Sequence, residues 1–163
     1  MLYLCLKYLH VIAAIFLFGF GMGSYLYLVA ANRSRSPELI AHVAGMVVRY
    51  DTWITTPAGL FQLVTGYWLF ELTGLSMAHE WVLTSVVVFF AVGALWLPVL
   101  VIQKRLMRMA MQAANQGSSL DDSYRSHYQV WFWMGVCGFA GMFLIVAMMV
   151  TKMPPWQWIM LIA

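Results

Sequence analysis

From Leu2 to Ala31 the chain presents an unbroken apolar run with two basic side chains, Lys7 and His10, and no acid. A helix rises ~1.5 Å per residue and the hydrocarbon core of a bilayer is ~30 Å thick, so this run spans a membrane with length to spare. Ionisable groups in such a run are costly and tend to be kept for a function. Lys7 lies about two turns from the start and can extend to the headgroups. His10 lies about a turn deeper with a shorter reach, and any ligand of this chain is expected to involve it. A cleavable signal peptide is the rival reading. Its apolar core would far exceed the usual ~7–15 residues, and Arg33 and Arg35 follow as a stop signal, so the segment reads as a retained signal anchor.

The remainder of the chain has the same character. Of 163 residues, 63% are hydrophobic and 9% charged, against ~25% charged in ordinary globular chains. This is the composition of one polytopic membrane domain covering residues 1–163, and it excludes a soluble fold. The net charge of +3 comes from nine basic residues spread along the chain, so no basic face exists for nucleic acid. Cys5 and Cys137 stand alone and imply neither a disulfide nor a metal motif. No nucleophile–base pair, phosphate loop or carboxylate dyad is present, which argues against hydrolytic chemistry.

The first helix ends in the polar turn Asn32 to Ser36. Ser36-Pro37-Glu38 then combines a capping side chain, a fixed φ and an acid in the first turn, which predicts a helix start. Leu39, Val43, Met46, Val47 and Tyr50 recur at helical spacing, and Trp53 to Phe70 is apolar. One long helix from Pro37 to Phe70, kinked at Pro57, fits better than an interfacial helix meeting a separate span near Asp51. Thr56, just before Pro57, is biased away from helical geometry. A loop from Glu71 to Ala78 precedes a third helix from about His79 through Ile102 towards Gln116, with Pro98 inside it. Asp121 and Asp122 open a fourth helix, which Lys152-Met-Pro-Pro ends, and Trp156 and Trp158 anchor an apolar tail too short to span. The loop after helix 1 carries Arg33 and Arg35, with Arg49 nearby, the loop after helix 3 carries Lys104, Arg105, Arg108 and Arg125, and the loop between helices 2 and 3 carries no base. The positive-inside rule then makes the basic end cytoplasmic and puts both termini outside. The expected fold is an all-α, up-and-down bundle of four transmembrane helices in contact with the lipid bilayer.

His10 shares a helix face with Lys7, Ala14, Leu17, Gly21 and Ser24. Small residues on a membrane helix face allow close packing, with His10 bonded to a neighbour. They also leave room for a flat ligand whose metal the imidazole ligates, which fits a b-type haem. The fourth helix aligns His127, Trp131, Gly135, Gly138 and Met142, and the second aligns Gly59, Gln62 and Gly66. Such faces either bring backbones together or leave space for a lipid chain, a quinone or a porphyrin. At ~1.5 Å per residue, His10 lies ~12 Å inside the outer surface, level with Gln62 and with Met142 to Leu144. His79 begins about two turns nearer the surface. The axial candidates are therefore His10 with His79, reached by a shifted helix, or His10 with Met142. His42 and His127 belong to the cytoplasmic half, where they could cluster with Arg49, Asp51 and Arg125 or simply pair at the interface. Thirteen methionines raise copper as an alternative metal, since thioethers are soft ligands.

Leu6-Lys-Tyr-Leu-His10-Val-Ile-Ala-Ala resembles the opening helix of a broad group of bacterial four- and five-helix membrane proteins. Over nearly the whole chain the sequence is similar to an uncharacterised family known only as integral membrane proteins, through Thr56-Pro-Ala-Gly59 to Thr65-Gly66-Tyr-Trp-Leu69 and Trp96-Leu-Pro98. More distantly, Lys7-x-x-His10, the Pro57-to-Gly66 span and Val150-Thr-Lys152-Met-Pro154 resemble HemJ-type protoporphyrinogen oxidases, and the group extends to CopD-type copper-resistance proteins. The HemJ resemblance implies a haem-binding role for His10 alone. That family's lysine after a later histidine is replaced here, in His79-Glu80-Trp81, and its Asn-Glu pair is absent at His127-Tyr-Gln129, so the oxidase activity does not carry over. Residues and resemblance together give a bacterial inner membrane protein with haem b held by His10, and the helix faces and depth estimate add His79, Met142, Ala14, Gly21 and Gln62 as further pocket candidates. Its role would be electron transfer or porphyrin-related redox chemistry, with oxidoreductase activity left open. A cofactor-free accessory subunit of a homo-oligomer or larger membrane complex is the alternative, and copper handling the third.

Overall fold

A computed structural model describes residues 1–162, with side chains described through residue 160. Its elements are α1 (Leu2–Arg33), α2 (Pro37–Tyr50), a π turn (Asp51–Thr55), α3 (Thr56–Thr73), α4 (Glu80–Gln116), α5 (Asp122–Thr151) and a short α6 (Pro155–Ile162). Among the described residues there is no strand. Three helices, α1, α4 and α5, are long and apolar enough to cross a membrane.

The local signals explain the boundaries. The Ser36 hydroxyl accepts from the Leu39 N–H at 3.3 Å, with Pro37 in the first turn. Asp121 accepts from the Tyr124 N–H at 2.8 Å. Each side chain satisfies one of the backbone donors that a helix start leaves open. Gly74 and Gly117 close α3 and α4 at φ of 62° and 61°, the left-handed geometry that glycine adopts without a Cβ penalty. Lys152 takes that geometry after α5, and its ammonium sits 4.3 Å from the Trp81 ring centroid. Partial burial, and then the charge of Lys7, lower the Lys152 pKa from its ordinary value. Lys7 and Lys152 therefore occupy the same end of the bundle, opposite the arginine-rich turns. Trp156 anchors the tail there, donating to Glu80 at 3.2 Å.

The expected kink takes a specific form. The helix from Pro37 to Thr73 is continuous, but it widens to π geometry over Asp51–Thr55, immediately before Pro57. A proline ring collides with the carbonyl four residues back, here Trp53, and the wider turn relieves that collision while keeping the backbone bonded. The Thr56 N–H reaches the Asp51 carbonyl, five residues back, and the Thr56 hydroxyl donates to the same oxygen at 2.6 Å. Thr56 itself stays helical, at φ −63° and ψ −52°. The steric bias of the pre-proline position is thus overridden, because the wider turn keeps the backbone bonded through it.

Packing is uneven along the bundle. The buried core gathers Leu28, Ile40, Ala44, Val47, Leu106, Ala110, Tyr124 and Trp131 from α1, α2, α4 and α5, towards the arginine-bearing end. Towards the other end the helices make fewer fully buried contacts and turn large apolar side chains outward, such as Tyr8, Ile15, Val87, Phe90, Phe143 and Val150. Such a surface is untenable in water and natural against lipid. In α5, Gly141 lets α4 approach: a Cβ there would lie 2.5 Å from Val92 Cγ2. α3 packs on α1 and the π turn and makes no substantial contact with α4 or α5.

The two kinds of glycine predict opposite outcomes. Val92 is β-branched and stiff in a helix, so Gly141→Ala should lower the melting temperature in detergent. A Cβ on Gly93 meets nothing within 4 Å, so Gly93→Ala should be neutral or stabilising by up to ~1 kcal/mol through helix propensity alone. Equal shifts in the two variants would contradict this account of the α4–α5 seam.

Candidate functional site

His10 has both ring nitrogens engaged by α3. Nδ1 is 2.9 Å from the Thr65 hydroxyl and Nε2 is 2.8 Å from the Gln62 amide nitrogen. The direction of these bonds follows from proton counting. Thr65 gives its hydroxyl proton to the Phe61 carbonyl at 2.7 Å, so towards His10 it accepts, and Nδ1 carries the ring proton. Nε2 is then a lone pair receiving the Gln62 N–H. Turning the amide round would set oxygen against that lone pair unless the ring gained a second proton. Gln62 Oε1 has no protein partner. Gly66 lets the ring lie flat on α3, with a Cβ there 3.2 Å from His10 Cε1. The depth ruler put Gln62 level with His10, and the two side chains do meet. Thr65 carried no comparable signal, since a threonine in a helix usually bonds its own backbone, as this one also does.

The other sequence candidates lie elsewhere. His79 is the exposed N-cap of α4, its Nδ1 3.0 Å from the Ser76 carbonyl oxygen. Ala14 lies one turn from His10 on α1. His127 faces Arg105 at 3.3 Å and Arg125 pairs with Asp122, while Asp51 turns inward, so these residues and His42 do not form one cluster. Cys5 and Cys137 are both exposed. Among the described residues, no three of His, Cys, Asp and Glu come together in a way that could hold a metal ion.

Gly21 and Met142 instead line a cavity of about 320 Å³ between α1, α3, α4 and α5. Its walls are almost wholly apolar and include Leu17, Leu63, Phe89, Val92 and Phe139. Leu60 and Leu97, both largely exposed, form part of its lining, so it opens sideways where α3 stands away from α4. A Cβ on Gly93 or Gly138 would meet no atom within 4 Å, so these glycines border open volume. Gly135 has a different role, because a Cβ there would collide with the Tyr25 ring. That ring crosses α5, stacks on Trp131 at 5.0 Å and donates to the Phe132 carbonyl at 3.1 Å.

One end of the cavity is polar. Asp51, at the start of the π turn, continues the buried stripe of Ile40, Ala44 and Val47 and is 3% exposed. The Gln103 amide donates to Asp51 Oδ2 at 2.9 Å and the Thr55 hydroxyl donates to Oδ1 at 3.0 Å. Beside them, Gln103 Oε1 and Trp131 Nε1 are buried without any protein partner. Buried polar atoms are bonded in the great majority of cases, and each exception calls for an explanation. An apolar cavity with a few polar groups among its lining residues is the usual arrangement for binding an amphipathic small molecule.

Residues 4–153 match the family described as predicted integral membrane protein (DUF2269). The chain belongs to that family. It is a multi-pass integral membrane protein, and the likeness to HemJ and CopD proteins rests on the short motifs alone. No curated protein matches the DUF2269 chain, and no solved structure does.

The α1–α3 seam depends on mutual satisfaction of His10 and Gln62. Replacing His10 with Leu strands the Gln62 amide and should destabilise the protein by ~1–3 kcal/mol. The double variant His10→Leu/Gln62→Leu should recover a measurable part of that loss. Thermal unfolding in detergent of both singles and the double checks this, and strict additivity would show that the contact contributes nothing.

Proposed function

We propose that this protein binds a lipid-soluble small molecule within the membrane, in the cavity between α1, α3, α4 and α5. The single observation that carries the reading is an almost wholly apolar, side-opening cavity with Asp51 and Gln103 together among its lining residues. The apolar body of the ligand would enter sideways from the bilayer past Leu60 and Leu97, and its polar group would seat near Asp51 and Gln103. The fourth crossing in this arrangement is the helix formed by α2, the π turn and α3. Basic turns at one end argue that both termini face the outside of a bacterial inner membrane. No catalytic step is assigned, since the cavity holds no group paired for one.

A second reading keeps haem b with His10 as axial ligand. What supports it is the tautomer: a protonated Nδ1 held by Thr65 leaves the lone pair on Nε2, the state in which histidine ligates metals with an orienting partner behind it. Gln62 would have to swing away to free that lone pair. Met142 would not serve as the second ligand without movement, because it belongs to the cavity lining and His10 does not.

Solvent extraction and mass spectrometry of the detergent-purified protein test the first reading. A lipid-soluble compound should be retained near one equivalent, and Gly138→Phe, which fills open volume, should reduce it at least tenfold while the protein stays folded. Retention unchanged in Gly138→Phe would refute the cavity as the binding site. For haem, a dithionite-reduced spectrum should show a Soret band that His10→Ala abolishes, and a protein colourless after expression with haem precursor would end that reading.

A further inference from the structure

The charge in the cavity identifies the class of molecule it takes. Asp51 is the one carboxylate among the residues that line it, and no lysine, arginine or histidine is among them. A buried carboxylate without a cationic partner is costly, and intramembrane acids usually pair with a counter-ion. Both Asp51 oxygens accept hydrogen bonds, from Gln103 and from Thr55. That pattern suits an ionised carboxylate, whereas a protonated one would present a donor. The neighbouring orphan Gln103 Oε1 is a second acceptor, so two groups of negative polarity converge with no positive protein group to meet them.

The surrounding walls suit the same partner. Tyr25, Trp96, Trp131 and Phe139 line the cavity, and aromatic faces attract cations, most strongly where water is excluded. A neutral amphiphile such as a quinone would satisfy Trp131 Nε1 but would leave Asp51 without a counter-charge. An anionic lipid would be repelled.

We infer that the cavity binds a lipophilic organic cation, an amine or quaternary onium with aromatic or alkyl bulk, with Asp51 as its counter-ion. This rests on the cavity reading above and adds the ligand's charge. Asp51 is a binding residue here, and Gln103 and Thr55 are positioning residues that hold its two oxygens.

Isothermal titration of the full chain in a neutral detergent, with two probes of similar aromatic bulk, separates the inference from the reading beneath it. Tetraphenylphosphonium carries the positive charge and triphenylphosphine oxide is uncharged. The cation should bind at least tenfold more tightly than the oxide. Asp51→Asn should remove that preference, Asp51→Glu should keep part of it, and Gly138→Phe should abolish binding of both. Should Asp51→Asn not fold, the wild-type preference and its partial retention in Asp51→Glu carry the test. Equal affinity for the two probes, or an unchanged preference in Asp51→Asn, would overturn the cationic assignment while leaving the cavity reading intact. Failure of both probes, with no effect of Gly138→Phe on retained compounds, would overturn both.

Discussion

The hydrogen bond from the Gln103 amide to the Asp51 carboxylate ties the α2–α3 rod to α4 at the polar end of the cavity. α2 packs extensively on α4, whereas α3 leans on α1 and has little contact with α4 or α5, so the rod parts from α4 just beyond Asp51. Asp51 reaches the inside because it continues the buried stripe of Ile40, Ala44 and Val47 at helical spacing. The π turn begins there, and Thr55 at its other end donates its hydroxyl to the Asp51 carboxylate. Pro57 is the sequence cause of the widened turn, and single π turns inside α-helices often coincide with functional sites.

The uneven packing follows from where each end of the bundle lies. Near the arginines, α2, the end of α4 and the start of α5 extend past the apolar stretch, where water drives burial of Leu28, Ile40, Leu106 and Trp131. At membrane depth that drive is absent, because lipid is as apolar as the side chains. There helices adhere through small-residue contacts and hydrogen bonds. Gly141 against Val92, Gly66 against His10, and the His10–Gln62–Thr65 bonds fill those roles. A bundle clamped at one end and sparsely bonded along the rest can keep a side-opening cavity that an evenly packed core would close.

Much of this was legible in the residues. Ser36-Pro37-Glu38 and Asp121-Asp122 mark helix starts because capping is local chemistry, and the Leu2 run marks a span because bilayer thickness is fixed. Pro57 announced a distortion but not its kind, since a kink and a π turn answer the same steric demand. The glycines were ambiguous for a physical reason. Gly135, Gly138 and Gly141 share one helix, yet one receives the Tyr25 ring, one borders the cavity and one admits Val92. Which fate applies depends on the neighbouring helix, whose register a single sequence does not disclose. Asp51 was read together with Arg49 and Arg125 as one of the charges at the interface, although it continues the buried stripe of Ile40, Ala44 and Val47 at helical spacing.

His10 and Asp51 drew attention, or escaped it, under the same rule, that an ionisable group at membrane depth is costly and needs a reason. The rule identifies candidates, and the state of their hydrogen bonds distinguishes them. His10 has a donor and an acceptor each matched by a side chain of α3, and the pair leaves one atom, Gln62 Oε1, without a protein partner. Asp51 has both oxygens bonded to neutral donors, and no cationic side chain is among the residues lining the cavity with it. Hydrogen bonding therefore makes His10 a fastener between α1 and α3. Across the bundle, Asp51 and Gln103 are bonded to each other among the residues lining an apolar cavity, and that difference in surroundings, more than the cost of either group, is what separates the two candidates.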